Sequence, residues 1–320
     1  MKRIRAAVIG VGYLGKFHAE KYASLPEVEL VGVADSDAVR AAEVSAAVGA
    51  PVFSDYRDLA GRVDLVSIVV PTRMHYEVAS FFLGKGIHVL LEKPITTTVK
   101  EAVDLISIAD SNGLVLQVGH LERFNPALQA VRTDIVHPGF IDAIRVAPYK
   151  PRGTDVSVVL DLMVHDLDII STLINSKIAS ISASGASVFS REPDIANARI
   201  EFVNGATANV TASRVSPKSE RRMLIFQEDA FISVDFQNRK SAICRKGEGE
   251  SAPGVPAVIS HEIDVPQKDQ ILAEITAFID SVKTKSAPVV TGVDGMRALE
   301  IALLVEEKVR ENLRLLGSSK

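Results

Sequence analysis

Cysteine is almost absent from this sequence. Cys244 stands alone, so no intrachain disulfide and no cysteine-based zinc site can form. A reducing cytoplasm is the compartment that usage suggests. Long apolar runs are missing too. A membrane span needs roughly 18 consecutive apolar residues; the longest comparable stretch, residues 65–70, contains Ser67 and stops at Pro71. The first residues imitate a signal peptide, with Lys2, Arg3 and Arg5 ahead of Ala6-Ala7-Val8-Ile9. Gly10, Gly12 and Gly15 then break the apolar segment, Lys16, His18 and Glu20 follow, and no small-residue cleavage pattern closes it, so a secretion signal is not expected. A strong charge of either sign is lacking as well: 36 Lys+Arg stand against 40 Asp+Glu, a net charge of −4. The first 120 residues hold 12 basic and 14 acidic side chains, so both parts of the chain are near −2. That balance argues against a nucleic-acid partner held by phosphate contacts. Internal repeats and low-complexity tracts are also absent.

What is present is a chain of 320 residues, 47% hydrophobic and 24% charged, long enough for about two domains and a large core. Strand and helix signals alternate over the first 120 residues. Short apolar runs at 5–9, 28–34, 64–70, 87–91 and 114–118 are separated by helical patterns at 16–24, 38–48, 76–85 and 99–112. Strands alternating with helices of roughly 10–15 residues predict a parallel, doubly wound sheet. After a helical stretch at 156–174 the pattern changes. Alternating strand patterns run from 178 to 265, which predicts a mostly antiparallel sheet; residues 246–256, with three glycines and two prolines, read as a mobile loop. Helices at 270–283 and 293–315 close the chain. The expected division is 1–122 for one domain and 123–320 for the other.

Gly10-Val11-Gly12-Tyr13-Leu14-Gly15 follows a predicted strand and opens a predicted helix, and a second strand ends at Asp35, 20 residues after Gly15. In that setting each glycine answers a different need. Gly10 allows the tight turn, Gly12 lets a pyrophosphate approach the backbone closely, and Gly15 permits helix–strand packing. The helix N-terminus offers N–H groups and a positive dipole end to the phosphates. Asp35 can accept hydrogen bonds from ribose hydroxyls, and its charge disfavours a 2′-phosphate, so NAD is expected over NADP. Arg40 is the nearest basic residue downstream.

Two further motifs follow buried strands, on the side where ligands bind in open parallel sheets. One is Pro71-Thr72-x-x-His75; the other is Glu92-Lys93-Pro94. A lysine held at a strand end can hydrogen-bond a substrate hydroxyl, and partial burial would lower its pKa toward neutrality. Spacing alone leaves Lys93 equally compatible with a surface loop. Asp161-x-x-x-His165 puts a carboxylate and an imidazole on one helix face, suited to proton exchange near neutral pH or simply to a solvated face. A metal set from His165, Asp166 and Asp168, or from His120 and Glu122, is not expected, because neighbours one and two apart do not share a helix face.

These motifs, taken in order, resemble the Gfo/Idh/MocA family of oxidoreductases. The resemblance runs almost end to end and includes Gly119-His120-Leu121-Glu122-Arg123-Phe124-Asn125-Pro126 and residues 295–300. It implies an N-terminal Rossmann domain binding NAD and a C-terminal α/β domain with a large, open-faced, mainly antiparallel sheet, through which members often pair as dimers or tetramers. It also implies roles: Lys93, Asp161 and His165 match the catalytic lysine, aspartate and histidine; Thr72, His75 and Glu92 match positions lining the nicotinamide; Arg123 and Asn125 match positions that contact substrate. The substrate implied is a sugar or nucleotide sugar oxidised at a secondary hydroxyl. Instead of the Gly-Gly pair many members carry before the aspartate, residues 153–159 read Gly-Thr-Asp-Val-Ser-Val-Val, most like the branch acting on UDP-N-acetylglucosamine at C3. The alternatives are an NADP-dependent reductase of a keto sugar or other carbonyl compound, and a non-catalytic dinucleotide-binding regulator.

Overall fold

The computed structural model describes residues 3–150, 156–265 and 268–318; the unusual segment 153–155 lies outside them. In chain order the elements begin β1 (Ile4–Ile9), α1 (Tyr13–Ser24), β2 (Val28–Ala34), α2 (Ala38–Val48), β3 (Val52–Phe53), β4 (Leu65–Ile68), α3 (His75–Gly84), β5 (His88–Glu92), α4 (Val99–Ser111) and β6 (Leu116–Gly119). They continue with α5 (Pro126–Val131), β7 (Phe140–Val146), α6 (Val164–Ile174), β8 (Ile178–Ala186), β9 (Ile195–Phe202), β10 (Thr207–Ser213), β11 (Glu220–Phe226), β12 (Ala230–Asp235), β13 (Lys240–Ala252), β14 (Val255–Asp264), α7 (Gln270–Thr284) and α8 (Gly292–Ser318).

Two compact units result. The first takes Met1–Leu121 and Asp269–Leu299, the second Glu122–Lys268 and Glu300–Lys320. The chain passes into the second unit after Leu121 and returns: α7 and the start of α8 belong to the first unit.

The first unit holds a six-stranded parallel sheet in the order β3-β2-β1-β4-β5-β6, the Rossmann arrangement with its reversal between β1 and β4. All four residues of β4 and of β6 are buried, as strands covered on both faces require. One of its cores is closed by distant sequence: Ile275, Phe278 and Ile279 of α7 pack with Ala19 and Tyr22 of α1 and with Ala6, Val8, Leu65 and Leu90 of the sheet. Local signals fix the helix ends. Asp37 caps α2, and Thr98 with Glu101 forms a reciprocal capping box on α4.

The second unit holds an eight-stranded sheet, β14-β13-β12-β11-β7-β10-β9-β8, antiparallel except for the β7–β10 pair. Its strands alternate as a one-sided sheet must. In β9, Ala196, Ala198, Ile200 and Phe202 are buried while Asn197, Arg199 and Glu201 face out. The expectation of a mobile loop at 246–256 is corrected: most of it is the far end of the β13–β14 hairpin, with register shifts between Lys246 and Glu250 and between Glu250 and Ala252. Glycines weaken strand patterning but tolerate such bulges, which is why the sequence signal read as a loop. The predicted helix at 156–174 is also not uniform. Val159–Met163 form a wide π turn before α6 begins.

Candidate active site

In the first unit the glycine turn explains itself atom by atom. Gly10 has φ +84°, and a Cβ there would lie 2.6 Å from the Val69 carbonyl oxygen, so only glycine makes this turn without strain. A Cβ on Gly15 would lie 1.9 Å from the Gly10 oxygen; α1 can leave the sheet this closely only over a hydrogen. Gly12 is different, because the nearest atom to its Cβ position is Arg40 Nη1 at 3.8 Å. No described residue fills that space, which fits a backbone left bare for an incoming phosphate. Gly12 is also the N-cap of α1 and supplies no side-chain cap, so the helix end itself is presented to an anion.

Asp35 closes the same region. Its Oδ2 accepts from Val11 N at 2.8 Å and its Oδ1 from Asp37 N at 2.9 Å, so the carboxylate is oriented by the turn it serves. A cavity of about 580 Å³ is lined by Gly10, Gly12, Asp35, Arg40, Pro71 and Met74 among others. Four sequence-predicted residues thus meet in one cavity of the size a cofactor needs. Arg40 joins them, its Nη1 3.7 Å from Asp35 and its Nη2 2.9 Å from Asp37. Tyr13 is exposed and packs edge-on against Phe17, while Leu14 and Thr72 are half-buried.

His75 and Glu92 turn inward. The His75 ring is 1% exposed, with Nδ1 2.8 Å from the Pro94 oxygen and Nε2 2.9 Å from the Val70 oxygen. Burial outweighs these contacts and holds its pKa below the ordinary histidine value, so the ring is neutral at pH 7 and one nitrogen donates. It ties the chain after β4 to the chain after β5, and so steadies Lys93-Pro94. Glu92 is buried; its Oε2 accepts from Lys93 N at 3.2 Å and its Oε1 lies 3.5 Å from His18 Nε2. Lys93 itself is half-buried at the end of β5, next to the cis peptide that joins it to Pro94.

In the second unit Asp161 stands in the π turn and His165 in the first turn of α6. A π turn re-aims side chains relative to a regular helix and recurs at functional sites. Asp161 is half-exposed; its Oδ2 is 4.0 Å from Arg214 Nη2. The helix carrying His165 is anchored on both sides by its neighbours. Asp168 takes both Nε and Nη2 of Arg123, at 2.6 and 2.7 Å. Asp166 takes Arg145 at 2.8 and 2.9 Å, and the same guanidinium reaches Glu122 at 2.8 Å. Burial pushes the Asp166 carboxyl up against the pull of Arg145, whereas at Glu122 Arg145 and Asn125 outweigh burial and hold the carboxyl down. Burial opposes the charge of Arg145, but its two carboxylate partners raise its pKa further.

The structure therefore gives Arg123 and Asn125 work inside the second unit. Asn125, 1% exposed, caps α5 through Ala127 N and donates to Glu122 and to the Phe236 carbonyl. Sequence reasoning missed Arg145, Asp166 and Asp168 as anchors of α6, and missed His18 and Glu274 as neighbours of Glu92. Asp166 and Asp168 beside His165 were visible; their arginines, 21 and 45 residues away, were not marked by any local pattern.

Comparison with known proteins agrees with both units. A family model described as an oxidoreductase family with an NAD-binding Rossmann fold matches residues 4–120, and one described as a GFO/IDH/MocA C-terminal domain matches residues 129–233. UDP-N-acetylglucosamine 3-dehydrogenase of Acidithiobacillus ferrooxidans is 40% identical over 98% of this chain and 100% of its own. A solved structure of that enzyme superposes with a TM-score of 0.93, covering 98% of this chain and 99% of the other. The scyllo-inositol 2-dehydrogenase (NAD+) of Bacillus subtilis is 26% identical over 97% of this chain and 95% of its own. Scyllo-inositol dehydrogenase of Lactobacillus casei, solved with NAD(H) and scyllo-inositol, is 20% identical with a TM-score of 0.81 over 97% and 98% of the two chains, a likeness of fold.

Proposed function

Since the chain belongs to the Gfo/Idh/MocA family of NAD-binding oxidoreductases, we propose that it oxidises the C3 hydroxyl of UDP-N-acetylglucosamine to the 3-keto sugar nucleotide. The observation that carries this reading is the 40% identity to an enzyme of that activity over essentially the whole of both chains. The cradle fits the cofactor: Gly12 leaves the phosphate approach open, and Asp35 faces the same cavity with its carboxylate already oriented. Bound there, NAD+ supplies the hydride acceptor.

The protein's own residues handle the proton. As the carbinol C–H bond breaks, the hydroxyl proton passes to a base, and the products are the ketone, NADH and one proton. Lys93, held at the end of β5, and His165, held on an anchored helix, are the two candidates for that base. Asp161 orients the hydroxyl or the base. Substitution of Lys93→Ala and of His165→Ala should each lower kcat by about 10²–10⁴, the range of general acid–base catalysis, read as NADH formation with UDP-N-acetylglucosamine in a panel of free and nucleotide sugars. Near-wild-type turnover in both variants, or equal turnover of free inositol, would sink the reading.

The same reading includes a cytoplasmic location and a homodimer or homotetramer formed through the eight-stranded sheet. Among the described residues no helix is long and apolar enough to cross a membrane. Light scattering on the purified protein reads the mass directly, and a monomer would remove the assembly from the proposal.

A further inference from the structure

Beneath Lys93 the first unit buries a group of side chains that the chemistry above does not use. Glu274 on α7 and His18 on α1 are 0% exposed, and Glu92 at the end of β5 is 8% exposed. One ligand-type atom from each lies within 4.8 Å of the others. Around them, Ser67 of β4 bridges His18 Nδ1 at 3.2 Å and the Tyr22 hydroxyl at 2.9 Å. Gln117 of β6 donates its amide to the Glu274 main-chain oxygen at 3.2 Å. His75 is also near enough to Glu92 to feel its charge. Lys21, the base that α1 offers to α7, is taken by Asp269 at 2.8 Å. Among the described residues no lysine or arginine side chain pairs with either Glu92 or Glu274.

The hydrogen bonds of this group do not balance. Both Glu274 oxygens, Gln117 Oε1 and His18 Nε2 are buried without a partner. His18 Nε2 lies 3.5 Å from Glu92 Oε1, on the Glu92 side of the group. The two Glu274 oxygens and Gln117 Oε1 are acceptors without a donor. A buried, unpaired carboxylate among acceptors is among the costliest arrangements a protein can hold.

We propose that Glu274 is a carboxylic acid in the folded protein, and that its proton is the donor that the Glu274 and Gln117 oxygens otherwise lack, while Glu92 accepts from the Lys93 main-chain N–H. Burial and the neighbouring Glu92 charge both push the Glu274 carboxyl well above its ordinary value, in the same direction. Glu274 is thereby a positioning residue for the Lys93 strand end. That second clause rests on Lys93 handling the substrate proton; the protonation of Glu274 does not.

The test uses the full-length protein and the variants Glu274→Gln and Glu274→Leu. A group whose folded pKa is raised contributes stability that is complete below its unfolded value and is lost as pH rises toward the folded one. Glutamine keeps a neutral donor and cannot ionise. The Tm of Glu274→Gln should therefore gain on wild type as pH rises above the ordinary glutamate value of about 4.3, by about 3 °C per pH unit. A difference that is the same at every pH overturns the proposal. So does one equivalent of a divalent cation in the wild type, by elemental analysis, that Glu274→Gln lacks. In turnover, Glu274→Leu should lose about tenfold in kcat at unchanged KM, and Glu274→Gln should recover most of it; wild-type kcat in the leucine variant overturns the positioning role. If Lys93→Ala keeps full turnover, the reading of Lys93 fails while the pH-dependent Tm still stands, so the two failures are distinguishable. A leucine variant that does not fold leaves the decision to the glutamine arm.

Discussion

The two units bury carboxylates in opposite ways. In the second, Glu122, Asp166 and Asp168 each meet an arginine fork within 2.6–2.9 Å. In the first, Glu274 meets no cation among the described residues, and Glu92 meets an imidazole at 3.5 Å and a main-chain N–H. The difference teaches where each group's charge comes from. Arginine is planar, always charged and able to bind two carboxylates at once, so the second cluster is fixed at any physiological pH. The first cluster must be neutralised by something exchangeable, and its state depends on solution conditions.

The comparison can be broken most sharply at Arg145. Arg145→Met leaves Asp166 buried without its arginine fork and Glu122 with only Arg221, at 3.8 Å, and urea unfolding should show a loss of about 3–5 kcal/mol. A loss below about 1 kcal/mol would mean that the fork is not what holds α6 to β7. Combining Arg145→Met with Asp166→Leu and Glu122→Met removes charge and countercharge together. The triple variant should recover at least half of that loss, because apolar replacement of a whole buried ion cluster is often neutral or stabilising. Failure to recover would assign the loss to packing.

A smaller effect sharpens the comparison from the acid side. Asp194 is compensated by neither arginine nor an added proton. Burial opposes its charge, but the Ser190 hydroxyl and the main-chain N–H groups of Ser190, Phe189 and Val188 outweigh burial and lower its pKa from 3.8 to about 2. A lowered folded value contributes stability present above pH ~4 and lost as pH falls toward 2. Asp194→Asn should flatten that part of the acid denaturation curve; an unchanged curve would show that the loop at 188–190 does not depend on the charge.

Much of the architecture was legible in the sequence because it rests on local patterning. Five of the six strands of the first unit were placed by short apolar runs, and α7 and α8 by their helical patterns, to within a few residues. Gly10, Gly12, Gly15 and Asp35 were legible as a set because each answers a backbone constraint that operates within one βα turn. What was not legible depended on contacts between distant segments. Nothing near His18 announces Glu274, 256 residues later. The inward turn of Glu92 and His75 was hidden for the same reason: a motif shows which residues stand at a strand end, and the sheet decides which of them face the core. The β13–β14 hairpin was obscured by its own bulges, whose glycines are also the residues of a loop.

One feature reaches beyond the folded state. The core of the first unit includes Ile275, Phe278 and Ile279, yet the chain leaves that unit at Leu121 and returns at Asp269. On a ribosome adding roughly 5–20 residues per second, about 7–30 s pass before those side chains exist. Through that interval β1 and β4 present apolar faces with no α7 to cover them, while the whole eight-stranded sheet is being made. The N-terminal unit is thus begun first and stays open until α7 and the start of α8 are made. Its window of exposure is set by the length of the segment inserted into it, and a chaperone would meet this protein as an open Rossmann sheet beside a nearly complete partner.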